Sequence, residues 1–369
     1  MKPKVRTLGR CAVGLLGLAL LLQGCGAQAP KNGAAPTPYR GTLPALETVQ
    51  FVTPQIGFMA GQGIVLETTD AGSVWTRIYS GSATIQSVDF VGKSAGWVLT
   101  SDGKVLAWTG GSAWTPVAQT LGQAAAMHLF PGGAGLVVTA KGALYHAAKA
   151  SGPWQQVNVA GIRSLSFSSS TVGWAVAAGG TAAPTIVETK DGGLTWTHSF
   201  APQLGQPETW SASVAASGNA AWALYTSASG QLEHQPYVAY ATQDQGQHWQ
   251  EQIGAPLFSG SGGMYPSSSQ SLFGLQAGAF AALGQSAYFL SWQPDPSGNL
   301  LGLTSTADAG ATWHQVPLHV KAADLPDFFE PIGLALPGPA TIWIVGSRGG
   351  NGVAVFSRDG GAHWSAPAL

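Results

Sequence analysis

Short apolar runs alternate with polar, glycine-rich turns along most of the chain. A run at residues 163–167 precedes a second run that opens on Trp174, and a third run at residues 185–187 leads into a turn and a fourth run. Runs this short, rich in β-branched and aromatic residues and bounded by turn residues, predict β-strands. Three strands before the turn and one after it predict a four-stranded antiparallel unit.

The turn before the fourth strand has a repeated form, Thr/Ser-x-Asp-x-Gly-x-x-Trp, which we call the octet. In each copy the Asp carboxylate can accept hydrogen bonds from backbone N–H groups just ahead of it, and Gly supplies a positive φ. The Trp re-enters the next strand. The five copies are centred on Asp70, Asp191, Asp244, Asp308 and Asp359. These five aspartates are predicted to be structural.

The tryptophans that end the turns give the number of four-stranded units. Trp75, Trp114, Trp154, Trp196, Trp249, Trp313 and Trp364 are 39, 40, 42, 53, 64 and 51 residues apart. Such spacings are close to the period of four-stranded propeller blades. The second and third units have lost the full octet but keep the strand pattern. The expected fold is all-β, a seven-bladed β-propeller with four-stranded antiparallel blades, over residues 44–369.

The motif GWAV…IVETKDGGLTW at residues 173–196 resembles the repeats of photosystem II assembly-factor propellers. The octet itself resembles the Asp-box, or bacterial neuraminidase repeat. This resemblance implies a propeller and, for the photosystem family, chaperone-like assembly of membrane complexes. Asp-boxes also occur in sialidases, xyloglucan hydrolases and sortilin-type receptors, so the resemblance implies no single activity.

The N-terminal residues predict export and a lipid anchor. Four basic residues precede an apolar stretch at residues 11–22, and Leu22-Gln23-Gly24-Cys25 is similar to a lipobox. We expect a signal peptide at residues 1–24, lipidation of Cys25, and a flexible tether at residues 25–43. The predicted location is extracytoplasmic, lipid-anchored to the bacterial cell membrane. An ordinary secretory signal with a chance Cys is the alternative.

Charge and cysteine content exclude several kinds of partner. Without residues 1–24 the chain has 12 Lys and Arg against 17 Asp and Glu, a net charge of −5, so nucleic acid is not an expected partner. Removal of Cys11 with the signal leaves Cys25 as the only cysteine, and the eight histidines form no close pairs. We therefore expect no metal and no cofactor.

Long loops indicate where a partner binds. In a propeller the first-to-second and third-to-fourth strand turns lie on one face, and these turns are short here. The other face, which we call the long-loop face, has longer segments in the C-terminal half. We expect a protein or glycan partner there, above blades five to seven. The candidate ligand-binding residues are Glu208, Trp210, Glu233, His234, Tyr265, Trp292, Asp295, Asp324, Asp327, Glu330 and Arg348.

Two functions remain open at this stage. One is a binding or assembly module with no catalytic residues. The other is a glycoside hydrolase of the Asp-box type that uses two of the loop carboxylates as acid and base or nucleophile. A sialidase is disfavoured because it needs three converging arginines, and the chain after Cys25 has five arginines, of which three lie in the tether, in an octet or directly after one.

Overall fold

A computed structural model describes residues 37–179, 183–204, 210–227, 236–255, 276–292, 301–318 and 329–369. In these ranges the chain forms 25 strands in six sheets. The first sheet contains β1 (Leu46–Phe51), β2 (Gly57–Thr68), β3 (Thr76–Gly92), β4 (Ala95–Thr100), β5 (Val105–Trp108) and β6 (Trp114–Val117). After a 3₁₀ segment (Gln119–Leu121), the second sheet contains β7 (Ala124–Leu129), β8 (Gly135–Thr139), β9 (Leu144–Ala147) and β10 (Gln155–Gln156).

The other sheets follow in chain order. The third contains β11 (Ile162–Phe167), β12 (Gly173–Ala177), β13 (Thr185–Thr189) and β14 (Thr197–Phe200). The fourth contains β15 (Trp210–Ser217), β16 (Ala220–Ser227), β17 (Tyr237–Thr242) and β18 (Gln250–Ala255). The fifth contains β19 (Gln276–Leu283), β20 (Ser286–Trp292), β21 (Leu301–Thr306) and β22 (His314–Pro317). The sixth contains β23 (Glu330–Gly338), β24 (Thr341–Arg348) and β25 (Asn351–Ser357).

The expectation of seven four-stranded blades is wrong. The described strands form six sheets, of which four have four strands, one has three and the first has six. The physical reason is the continuity of β3. Its first part, from Thr76 to Thr84, pairs with β2, and its second part, from Ile85 to Gly92, pairs with β4. The first two sequence repeats therefore share one strand and belong to one sheet.

The sheets are arranged in a closed cycle. Successive sheets contact one another through their first strands, β7 with β11, β11 with β15, β15 with β19 and β19 with β23, and β23 contacts β1. The first and second sheets meet where β3 and β4 contact β7. Apolar clusters fill the spaces between neighbouring sheets, and Trp97, Trp174, Trp222 and Trp343 are at most 2% exposed. These rings lie near the start of the second strand of four sequence repeats, and their burial places them in the core. The propeller architecture is confirmed.

Polar side chains also bond to the backbone of strands that are distant in the sequence. The Gln50 side chain accepts a hydrogen bond from the Phe90 N–H at 2.8 Å, and Asp89 accepts one from the Leu129 N–H at 2.9 Å. Further round the cycle, Ser166 accepts a bond from Ala216 N–H at 2.9 Å. Because each bond joins residues 40 to 50 positions apart, the inner strands are held in register by side chains as well as by packing.

The cycle closes between the first and the sixth sheets. The Gly352 N–H donates to the Leu43 carbonyl at 2.7 Å, and Tyr39 N–H donates to the Trp75 carbonyl at 2.6 Å. Leu43, Leu46, Trp75 and Trp343 belong to one buried cluster. Part of the segment that was expected to be a tether therefore pairs with both the first and the sixth sheets.

Candidate functional site

The five octets share one hydrogen-bond pattern. The hydroxyl at position 1 donates to the Asp Oδ1 at 2.7 to 2.8 Å and accepts the N–H of the Gly at position 5 at 2.8 to 3.0 Å. The same Oδ1 accepts the N–H of position 7 at 2.8 to 2.9 Å. Since each carboxylate is already bonded within its own turn, it is not available as an acid or base for a ligand.

Octets lie on the face that also carries the first-to-second strand turns. In every copy a backbone N–H at octet position 4 donates to the carbonyl of the neighbouring turn at 2.8 to 3.1 Å, as Ala71 does to Gln55 and Gly360 does to Ala340. We call this the octet face. Its turns are therefore cross-linked to each other by backbone hydrogen bonds.

The octet hydrogen bonds stabilise the charged form of the carboxyl groups. The pKa of Asp308 is lowered to about 2 by the Thr312 hydroxyl, the Thr312 N–H and the Thr306 hydroxyl. The pKa of Asp359 is lowered to about 2 by the His363 N–H, the His363 ring and the Ser357 hydroxyl. The pKa of Asp244 is lowered by the corresponding groups of His248 and Thr242.

Four of the candidate ligand-binding residues lie in the described ranges, and all four lie at strand ends on the long-loop face. Trp210 begins β15, Trp292 ends β20, Glu330 begins β23 and Arg348 ends β24. The other seven fall outside the described residues, as do residues 1–36 with Cys25. They are Glu208, Glu233, His234, Tyr265, Asp295, Asp324 and Asp327.

Among these described candidates, Trp210 is buried, whereas Glu330 and Arg348 are exposed. Trp210 is only 9% exposed and packs with Trp174 and Tyr225 between the third and fourth sheets. Its ring is therefore largely committed to the core. Glu330 and Arg348 are exposed, and they are neighbours because Glu330 pairs in register with Ser347. Ile332, two residues further along β23, is 42% exposed. We call Glu330, Ile332 and Arg348 the sixth-sheet patch.

A polar pair near the axis was not singled out from the sequence. His128 Nδ1 lies 2.7 Å from Asp89 Oδ2, and the imidazole stacks on Phe167 with ring centroids 4.5 Å apart. Asp89 directly precedes Phe90, as Gln50 directly precedes Phe51. That repeated polar-aromatic pair is the sequence signal that could have found it. The pair joins the first two sheets to the third.

The described part of the chain has neither a cluster of metal-ligating side chains nor a membrane-spanning helix. No group of three or more His, Cys, Asp or Glu side chains there is arranged to hold a metal ion. Within the same ranges, none of the helices is long and apolar enough to cross a bilayer.

Comparisons with solved structures identify other propellers. YCF48 bound to D1 peptide is 18% identical, with a TM-score of 0.54, over 86% of this chain and 93% of that chain. YCF48 from Cyanidioschyzon merolae is 16% identical, with a TM-score of 0.57, over 86% and 96%. The GH74 enzyme of Niastella koreensis is 13% identical, with a TM-score of 0.60, over 89% and 55%, so this chain spans about half of it.

These likenesses establish the fold alone. No family model matches the sequence, and no curated protein matches it either. The structural neighbours include both YCF48 propellers and a GH74 enzyme, so the shared fold does not select a function. A choice between a binding module and a glycoside hydrolase therefore depends on the geometry of the site.

The octet bonds make stability depend on pH in the acid range. A carboxyl group whose folded pKa is lowered contributes stability above its unfolded pKa of about 3.9, and the contribution disappears as pH falls through the folded value. Asp308→Asn should lower the melting temperature by a constant amount above pH about 5. The gap to the wild type should shrink between pH about 4 and pH about 2. Calorimetry across this range tests it, and a gap independent of pH would refute the charged-turn account.

Proposed function

We propose that this propeller is a binding or assembly module that holds a protein partner on its long-loop face. The observation that carries this proposal is the difference between the two faces. On the octet face the repeated carboxylates and the backbone N–H groups at octet position 4 bond within the protein. On the long-loop face the sixth-sheet patch presents a carboxylate, a guanidinium and an aliphatic side chain to solvent.

The chemistry of the patch suits a protein segment. Arg348 can form a bidentate salt bridge with a carboxylate, and Glu330 can accept hydrogen bonds from Lys, Arg or backbone N–H groups. Ile332 offers apolar area two residues further along β23. The structural neighbour described as YCF48 bound to D1 peptide is a propeller with a bound peptide. This supports a peptide-like partner for the present chain.

The octets themselves support an Asp-box assignment. Their shared bonds from the position-1 hydroxyl, the Asp carboxylate and the position-5 Gly have a purely structural role, so they favour neither an enzyme nor a binding protein. The hydrolase alternative needs two carboxylates about 5 to 10 Å apart in one cleft. Of the six loop carboxylates only Glu330 lies in the described residues, and it faces solvent.

A peptide selection tests the binding function. Full-length protein is immobilised and used to enrich a random peptide library, and the selected peptides are measured against variants. Arg348→Ala should weaken their binding at least about fivefold, because an arginine at an interface centre contributes more than about 1 kcal/mol. Lys190→Ala is the matched control, since Lys190 is an exposed cation in an octet.

Three outcomes would contradict this proposal. Loss of binding in Lys190→Ala but not in Arg348→Ala would move the site to the octet face. Enrichment of no peptide, together with specific glycans retained on a glycan array, would replace the protein partner by a carbohydrate. Hydrolysis of xyloglucan that disappears in Glu330→Gln would identify an enzyme.

We also propose that Cys25 anchors the protein to the outside of the cell membrane. The lipobox-like Leu22-Gln23-Gly24-Cys25 and the basic and apolar residues before it support this location. Cys25→Ala should transfer the protein from the detergent phase to the aqueous phase in a phase-partition assay, because only this thiol can carry the lipid. Unchanged partition of the variant would exclude the anchor.

A further inference from the structure

A cavity lies between the first and second sheets, away from the sixth-sheet patch. It has a volume of about 360 Å³, which is within the range of small-molecule sites. Its walls come from the β4–β5 turn, the edge strand β6, the 3₁₀ segment after it and strands β7 and β8. The lining residues are Gly103, Lys104, Val105, Pro116, Val117, Ala118, Gln119, Gly122, Ala124 and Val137.

The interior of this cavity is apolar and its rim carries a cation. Val105, Ala124 and Val137 are buried, while Lys104 and Gln119 are exposed. Lys104 is the only charged residue among the lining residues. Its ammonium pairs with Asp102, but an ammonium has three N–H donors, so it can bond a second carboxylate as well.

The backbone beside the cavity is strained. Ala118 has φ of 56°, a left-handed conformation that costs a non-glycine residue about 1 to 2 kcal/mol. This residue forms part of the wall and precedes the 3₁₀ segment, whose Leu121 N–H donates to the Ala118 carbonyl at 3.0 Å. Strained residues of this kind are concentrated at ligand sites.

We propose that this cavity binds a small monocarboxylic acid with an apolar body, such as an aromatic or branched aliphatic acid. The apolar body lies against Val105, Ala124 and Val137, and the carboxylate stays at the rim beside the Lys104 ammonium. This arrangement leaves no ligand charge buried, which would be costly. The site is independent of the partner surface, because it lies between different sheets.

Three probes of similar size test the charge preference. Benzoate, benzyl alcohol and benzylamine are titrated separately into the full-length protein, and amide chemical shifts of Gly103, Gly122 and Ala124 are followed by NMR. Benzoate should bind best and benzylamine worst. Lys104→Met keeps the aliphatic stem and should weaken benzoate about two- to fivefold, the range for an exposed ion pair, without changing benzyl alcohol.

Asp102→Asn should change the affinity for benzoate in the opposite direction. Removal of the competing carboxylate should strengthen benzoate about two- to fivefold and leave benzyl alcohol unchanged. Ala124→Leu should abolish binding of all three probes by filling the cavity. Ala126→Leu is its control on the same strand, because Ala126 packs into the next inter-sheet cluster. If Ala124→Leu fails to fold, Val117→Phe fills the cavity from a half-exposed wall position.

The proposal is overturned by any of three results. One is the absence of probe-dependent shifts at Gly103, Gly122 and Ala124. Another is an equal affinity for the anionic and cationic probes. The third is a change of the same size for benzoate and benzyl alcohol in both Lys104→Met and Asp102→Asn, which would mean that the lysine acts only through packing.

Discussion

The contact between Trp343 of the sixth sheet and Gly72 of the first octet is the constraint on which the closed cycle depends. Gly72 has φ of +86°, and a Cβ at this position would lie 2.2 Å from Trp343 Cζ2. Trp343 also packs against Phe51 and Trp75, with ring centroids 5.5 and 5.4 Å away. Burial of such a ring stabilises the fold by up to about 4 to 6 kcal/mol. The missing side chain of Gly72 therefore allows the first and sixth sheets to meet.

Other octet glycines also lie against side chains of the preceding sheet. The octet glycine Gly193 lies against Leu136 of the second sheet, and Gly246 lies against Glu188 and Trp174 of the third. The octet therefore has two structural roles. Its carboxylate organises the turn, and its glycine lets the turn dock on the preceding sheet.

Local features were predictable from sequence, whereas features that join distant residues were not. The octet bonds join residues at most four positions apart, so Asp191 and its neighbours contain all the information needed for that turn. The shared strand β3 was missed because the units were counted from the tryptophan spacing, and nothing local shows that one strand continues from Thr76 to Gly92. Trp210 was predicted to contact a ligand because no neighbouring residue in the sequence shows that it packs against Trp174. The cavity joins β5, β7 and β8, whose association only the fold reveals.

The closure is tested most directly by hydrogen exchange in Gly72→Ala, compared with Ala71→Gly. Ala71 also has a positive φ, of 60°, so its replacement changes the same turn without adding an atom next to Trp343. The account predicts faster amide exchange in Gly72→Ala in β1, β2 and β23–β25 together, with β12 and β13 unchanged, and no such effect in Ala71→Gly. Faster exchange confined to residues 68–75 in Gly72→Ala would contradict it.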